Sequence, residues 1–194
     1  MRRLAMVLGV AVLAGCDLHL TDLGDCSSPR EFIDEISATG LTALIVDAEA
    51  GDLRLVGRSG FNAVRVRARA CATDRRTRDD IDFDLFRADG AARLISFVPT
   101  RDRAWLDLVV EVPADFDVDV YHQAGNVEVE DVYSVWINDT SGHIDIFDID
   151  TDVIIDEDGS GDIDVSNIGG DLIVRYDRSG RITFRNIGGG VYLP

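Results

Sequence analysis

Four short segments decide how this chain reads: Gly125-Asn126-Val127-Glu128-Val129, Gly142-His143-Ile144-Asp145-Ile146, Gly161-Asp162-Ile163-Asp164-Val165 and Gly180-Arg181-Ile182-Thr183-Phe184. Their glycines are offset by 17, 19 and 19 residues. Aligned on the glycines, other positions fall into columns. Val132, Ile149, Ile168 and Ile187 form one, Trp136, Val153, Leu172 and Val191 another, and Asp131, Asp148, Asn167 and Asn186 a polar one at a bend. Each unit therefore holds two short strands with a bend after each. A unit of this length cannot enclose a core by itself, so successive units must stack as rungs. Stacking brings like residues to about 4.8 Å from one another, with aliphatic columns inside and amide ladders at the bends.

Upstream of the repeat the pattern stays β. Thr42 to Asp47, Leu53 to Val56, Ala63 to Cys71, Ile81 to Phe86, Arg93 to Val98 and Trp105 to Val112 are short β-branched or alternating runs, separated by Gly51, Gly60, Gly90, Pro99 and Pro113. In Val64-Arg65-Val66-Arg67-Ala68-Arg69-Ala70 small apolar residues face one way and three Arg the other, the mark of a half-buried strand. Residues 73–80 read as a charged connection. Ser28-Pro29-Arg30-Glu31 carries an N-cap residue, Pro at the first helical position and Glu at the third, which predicts a helical turn or two over 29–36.

The start of the chain reads as an address. Met1-Arg2-Arg3 is basic, Leu4 to Ala14 is apolar over eleven residues, and Leu13-Ala14-Gly15-Cys16 follows. Eleven residues are too few to span a bilayer and suit a secretory signal. The last four resemble the lipobox of bacterial lipoproteins, which implies cleavage between Gly15 and Cys16 and acylation, palmitate included, at Cys16. The alternative is an ordinary signal peptide with an incidental cysteine. Several acyl chains at about 0.8 kcal/mol per buried CH₂ make a durable anchor. In an oxidising compartment the remaining Cys26 and Cys71 are expected to form a disulfide, with two free thiols as the alternative.

Charge narrows the partners. The 194 residues hold 36 acids against 19 basic residues, all Arg, for a formal charge of −17, which excludes a nucleic-acid partner. Residues 50–103 carry 12 Arg and 8 acids, whereas 104–194 carry 4 Arg and 20 acids. In a stacked arrangement Glu128, Asp145 and Asp164 share one outward column, and Asp139, Asp158 and Asp177 a second. Such faces read first as solvated surface that discourages edge-to-edge association. They read second as a weak divalent-cation surface, most naturally for Ca²⁺, with Asp156, Asp158, Asp162 and Asp164 as ligands. Arg54, Arg65, Arg67 and Arg69 are expected to pair across strands with Asp52, Asp82 and Asp84, with anionic lipid headgroups or glycans near the anchor as the alternative partners. Trp105 and Trp136 read as packing residues.

Catalysis has little support. The three histidines, His19, His122 and His143, lie in the tether, before the repeat and at a rung start. Ser141-Gly142-His143 is too local for a triad, whose members converge from separate elements. Paired Asp residues could act as acid and base on a polysaccharide, but here each Asp cluster recurs with the rungs. The final rung turns basic and lacks an obvious cap; Arg178, Arg181, Arg185 and Gly188-Gly189-Gly190 are expected to blunt its edge, with end-to-end self-association at that rung as the alternative.

The segments Ala50-Gly51-Asp52-Leu53-Arg54-Leu55, Val64-Arg65-Val66-Arg67-Ala68, Leu108-Val109-Val110-Glu111-Val112-Pro113 and Asp117-Val118-Asp119-Val120, followed by the glycine-headed repeats, resemble the putative-adhesin family of bacterial envelope domains, whose function is unknown. The resemblance covers about residues 41–194 and implies a right-handed parallel β-helix without catalytic residues. The expectation is thus an all-β chain: signal peptide 1–15, anchor and tether 16–40, and one β domain over 41–194, whose β-rich section 41–113 precedes solenoid rungs of about 17–19 residues over 114–194. It is expected to be a lipid-anchored envelope protein, on the periplasmic side of the inner membrane or in the outer membrane. Its role would be a non-catalytic interaction module for an envelope protein or glycan, without a cofactor unless Ca²⁺ binds.

Overall fold

In the computed structural model, which describes Cys26 and residues 28–194, the glycine-headed segments are strands paired in register. In chain order the strands are β1 (Arg30–Ser37), β2 (Ala43–Ala50), β3 (Leu53–Arg58), β4 (Ala63–Cys71), β5 (Asp82–Ala88) and β6 (Ala91–Phe97). They continue with β7 (Trp105–Pro113), β8 (Asp117–Ala124), β9 (Val127–Glu130), β10 (Ser134–Asp139) and β11 (Ile144–Ile149). The last are β12 (Val153–Asp158), β13 (Ile163–Ile168), β14 (Leu172–Val174), β15 (Ile182–Ile187) and β16 (Val191–Tyr192). One short helix, α1 (Arg75–Asp79), interrupts the charged connection, its amides capped by the Asp74 carboxylate.

The strands form two mixed, eight-stranded, open sheets. The first is ordered β1-β4-β7-β3-β9-β11-β13-β15 and the second β16-β14-β12-β10-β8-β2-β6-β5. From β8 onward the chain alternates between the sheets, and every pairing among these later strands is parallel. The antiparallel pairs, β1–β4, β4–β7 and β5–β6, belong to the earlier half. The all-β expectation therefore holds, and the parallel pattern is confined to part of each sheet.

The repeat columns are literal in the registers. Val127 pairs with Ile144, Ile144 with Ile163 and Ile163 with Ile182, and all but the last are fully buried. Leu53 extends this column backwards by pairing with Val127 and Leu108. Apolar side chains from both sheets meet in one buried cluster that runs from Ala38 to Val174. At about 25 cal/mol per Å² of apolar surface removed from water, this cluster is the main favourable term in folding.

The glycines are required by contact. A Cβ on Gly142 would lie 1.6 Å from the carbonyl oxygen of Gly125, and one on Gly161 would lie 1.7 Å from that of Gly142. Both also have positive φ, 143° and 146°, which L side chains rarely adopt. At the next bend Asp131, Asp148, Asn167 and Asn186 all have φ between 54° and 59°. Asn and Asp tolerate this left-handed conformation best among residues with a side chain. The Asn186 amide donates to Asn167 Oδ1, and the Asn167 amide to Asp148 Oδ1, each at 2.8 Å.

Two expectations need correction. Residues 30–37 form strand β1, paired with β4 over all eight positions, and not a helix. The local capping signal loses to burial, because Phe32 and Ile36 alternate inward and Phe32 stacks on Phe83 at 5.2 Å between centroids. The column of Val153, Leu172 and Val191 begins at Val135, not Trp136. Trp136 pairs with Ile154 and turns outward against Tyr121. The lengthening from 17 to 19 residues has two causes: one extra residue in the connection before Val153, and a β-bulge that lets Asn138 pair with Glu157 after Ile137 has paired with Ile155. Gly15, Cys16 and His19 lie outside the described residues.

Candidate functional site: columns of polar side chains

Stacking turns every polar position of the repeat into a column, and three columns carry the charged chemistry of the chain. The first runs along the rung starts and is structural. The Asp52 amide donates to Asp107 Oδ1, the Asn126 amide to Asp52 Oδ1, the His143 amide to Asn126 Oδ1, the Asp162 amide to His143 Nδ1, and the Arg181 amide to Asp162 Oδ1. Each side chain thus caps the backbone of the rung beside it. A parallel series links the Asp171 amide to Asp152 Oδ1 and the Gly190 amide to Asp171 Oδ1. Burial pushes the Asp107 carboxyl up to about 6, against the amide and the Trp105 indole that it accepts from.

The second column stands outward on the first sheet. Arg54, Glu128, Asp145, Asp164 and Thr183 are successive register partners. Arg54 bridges Glu128 at 3.3 Å and Glu130 at 2.9 Å, so the column is neutralised at one end only. Partial burial raises the Glu128 carboxyl despite Arg54, and burial together with Asp164 raises Asp145. Phe147, Phe184 and Arg185 flank these carboxylates to make a shallow groove.

The third column is inside. His122 pairs with Asp139 in register, Asp139 with Asp158, and Asp158 bridges to Asp177. Asp139 is 1% exposed, Asp158 is fully buried, and the His122 side chain has no exposure. This corrects the placement of Asp139 and Asp158 on a solvated face. On β10 the alternation that buries Val135 and Ile137 continues to Asp139, and on β12 the bulge turns Asp158 inward. His122 Nε2 lies 2.9 Å from the Gly51 carbonyl oxygen, which can only accept, so this nitrogen is the donor. His122 Nδ1 lies 2.7 Å from Asp139 Oδ1, a distance that places a proton between them. Asp139 Oδ2 and both oxygens of Asp158 have no hydrogen-bond partner among the described residues. Burial first, then the charges of Asp139 and Asp177, push the Asp158 carboxyl up to about 7.

The arginine stripe also differs from expectation. Arg54, Arg65 and Arg67 pair with glutamates, not with Asp52, Asp82 and Asp84. Arg65 meets Glu35 at 2.6 Å, and Glu111 draws Arg58, Arg65 and Arg67 within 3.5 Å. Asp82 and Asp84 sit on β5, in the other sheet. The sulfurs of Cys26 and Cys71 are bonded, with their Cα atoms 5.8 Å apart, so the chain leading into β1 is tied to the end of β4.

The four carboxylates considered for a cation do not converge. Asp156 pairs with Arg175 at 2.6 Å, Asp158 is sealed inside, Asp162 accepts the Arg181 amide, and Asp164 stands on the opposite sheet. Among the described residues, no group of three or more His, Cys, Asp or Glu side chains is placed to hold a metal ion. Also among them, no helix is long and apolar enough to cross a membrane.

No family model matches the chain, and no curated protein matches it. Solved structures do. A putative cell adhesion protein from Clostridium sporogenes is similar over 86% of this chain and 99% of its own, at 9% identity and a TM-score of 0.35. A putative adhesin from Bacteroides fragilis is similar over 83% and 97%, at 9% identity and a TM-score of 0.36. Another from Parabacteroides distasonis is similar over 85% and 97%, at 12% identity and a TM-score of 0.34. All three carry adhesion in their names, as does the family that the sequence resembles.

Proposed function

We propose that this chain is a lipid-anchored envelope protein whose β domain is a non-catalytic interaction module. The alternation of β8 to β16 between two parallel arrays supports reading residues 114–194 as a β-solenoid, right-handed as crossovers between parallel strands are. One observation carries the non-catalytic reading: the repeat's histidines and capping carboxylates are already engaged. His122 is sealed from solvent, His143 accepts a backbone amide, and Asp162 caps the last rung. A general acid or base must reach its substrate, and His122 cannot, while His143 Nδ1 and Asp162 Oδ1 are spent on backbone amides of the next rung. The anchor is the acylated Cys16, on the periplasmic side of the inner membrane or in the outer membrane. Labelled palmitate should enter the chain in cells and be lost in Cys16→Ser. Retained label in that variant removes the anchor. Turnover of an envelope polysaccharide that disappears in Asp162→Asn/Asp164→Asn would replace the non-catalytic reading with an enzymatic one.

A second reading is favoured by the groove on the first sheet, whose lining includes Asp145, Asp164, Phe147 and Phe184. The half-buried Phe147 and the exposed Phe184 beside carboxylates suit a sugar, which offers apolar C–H faces for stacking and hydroxyls for hydrogen bonds. Glycan-array binding that is lost in Phe184→Ala supports it; a blank array on folded protein ends it.

A further inference from the structure

The two ends of the sheet pair are built differently. At one end the outermost strands are β1 and β5, and at the other they are β15 and β16. Among the described residues, nothing pairs with the outer edge of any of these four strands. Strands β1 and β5 carry five acids, Glu31, Asp34, Glu35, Asp82 and Asp84. Their two arginines are spent on the protein's own backbone, Arg30 on the Ile81 carbonyl and Arg87 on those of Ser37 and Thr39. Beyond Asp177 the chain carries Arg178, Arg181 and Arg185 and no acidic side chain. The outermost strands are therefore acidic at one end, where among the described residues only Glu35 is paired, with Arg65, and basic at the other.

Both ends also show apolar surface. Ile33 is 66% exposed and Phe86 40% at the acidic end, while Phe184 is 45% and Tyr192 57% exposed at the basic end. At the basic end the core columns simply stop, leaving Ile182, Ile187 and Val191 only partly covered. Strand direction permits the two ends to meet. Strand β1 is antiparallel to β4, and β4 to β7, while β7 runs parallel to β3 and through it to β15. Hence β1 points the same way as β15. A copy shifted along the stacking axis would present β1 to β15 as a parallel pair and β5 to β16 as an antiparallel one. Both are regular ladders.

We propose that the basic β15/β16 end docks on the acidic β1/β5 end of a second copy of this chain, continuing both sheets head to tail. The contact is heterologous, so each docked copy leaves one end of each kind open and the assembly grows as a row, not a closed dimer. Opposite charge sets the orientation, because two basic ends repel and an acid–base pair attracts. The proposal does not rest on a sugar ligand, although Phe184 and Arg185 border both the groove and the basic end.

Sedimentation velocity on the full chain in mild detergent tests it. At low salt the wild type should show species that grow with concentration, and at about 0.5 M salt they should collapse to one particle as screening shortens the reach of the charges. Arg181→Glu/Arg185→Glu should remain a single particle throughout. Glu31→Arg/Asp34→Arg should do the same, whereas a tail-to-tail dimer would leave that variant associating like the wild type. An equimolar mixture of the two variants should regain association, since each supplies the end that the other has lost. Circular dichroism and melting temperature verify that each variant is folded; should either fail to fold, the salt and concentration series on the wild type still decides. A wild type that stays a single particle at low salt, or a Glu31→Arg/Asp34→Arg variant that associates undiminished, overturns the proposal.

Discussion

The two halves of this molecule handle charge in opposite ways. In residues 30–113 the strands are partly antiparallel, and arginines and glutamates meet across them, as where Glu111 gathers Arg58, Arg65 and Arg67. In residues 114–194 the strands are parallel and in register, so a residue type meets its own kind on the next rung. Opposite charges can be matched in the first arrangement. In the second a carboxylate column must be neutralised by something other than a cationic neighbour. Backbone amides do this for Asp152, Asp162 and Asp171, Arg54 does it at one end of the outer column, and protonation does it for Asp158. Burial, and then the like charges of Asp139 and Asp177 beside it, favour the protonated form of Asp158.

The contrast can be broken most severely at the glycines of the parallel half. Gly142→Ala forces a Cβ into the Gly125 carbonyl at positive φ, and it should cost about 4 kcal/mol or more, seen as loss of the cooperative transition in chemical denaturation. Gly60→Ala, whose Cβ meets nothing, should cost about 1 kcal/mol from its φ of 74° alone. Reduction of the Cys26–Cys71 bridge, which spans 45 residues, should remove about 2–4 kcal/mol. Hydrogen exchange should place that loss in β1 and β4 and leave β11 to β14 protected.

A smaller effect isolates the buried acids. Asp158 has a folded-state pKa near 7 against an ordinary 3.8, so the folded protein holds a proton that the unfolded chain releases between these values. Its stabilising contribution is complete below the lower value and lost as pH rises through the upper one. The melting temperature should therefore decline from about pH 4 to pH 7 through this group, and Asp107, pushed up to about 6, adds in the same direction. Asp158→Asn should raise the midpoint at pH 8 by about 2–8 °C and flatten that decline. The least effect belongs to Arg175→Ala, whose pair with Asp156 is solvent-exposed. That change should stay within about 1 kcal/mol by denaturant titration.

The repeat was legible because its constraints are local. A glycine at each rung start and Asp or Asn at each bend follow from φ alone, and Val127, Ile144 and Ile163 follow from alternation. What failed depended on partners distant in sequence. The helix-start signal at Ser28 is genuine as chemistry, yet β4 offers residues 30–37 eight register positions, which one capped turn cannot match. Trp136 was placed in the wrong column because one connecting residue and one bulge both hide inside a single change of period. The buried column was partly readable. Val118 and Val120 point inward, so His122 two residues later must follow, and Asp139 follows Val135 and Ile137 in the same way. Its polar identity hid it, since the usual presumption puts a charged side chain in water. Asp158 lacked even this clue, because the bulge shifts it by one position.

The way each rung's side chain caps the neighbouring backbone makes this half of the chain modular. Asp162 serves Arg181 as Asn126 serves His143, with the side-chain acceptor always one unit behind the amide it satisfies. A duplicated block of 19 residues, inserted between Ser160 and Gly161, would thus arrive with its own acceptor and meet an amide already waiting. Length in this architecture is set by counting, and a lineage could lengthen or shorten the protein without redesigning a single contact.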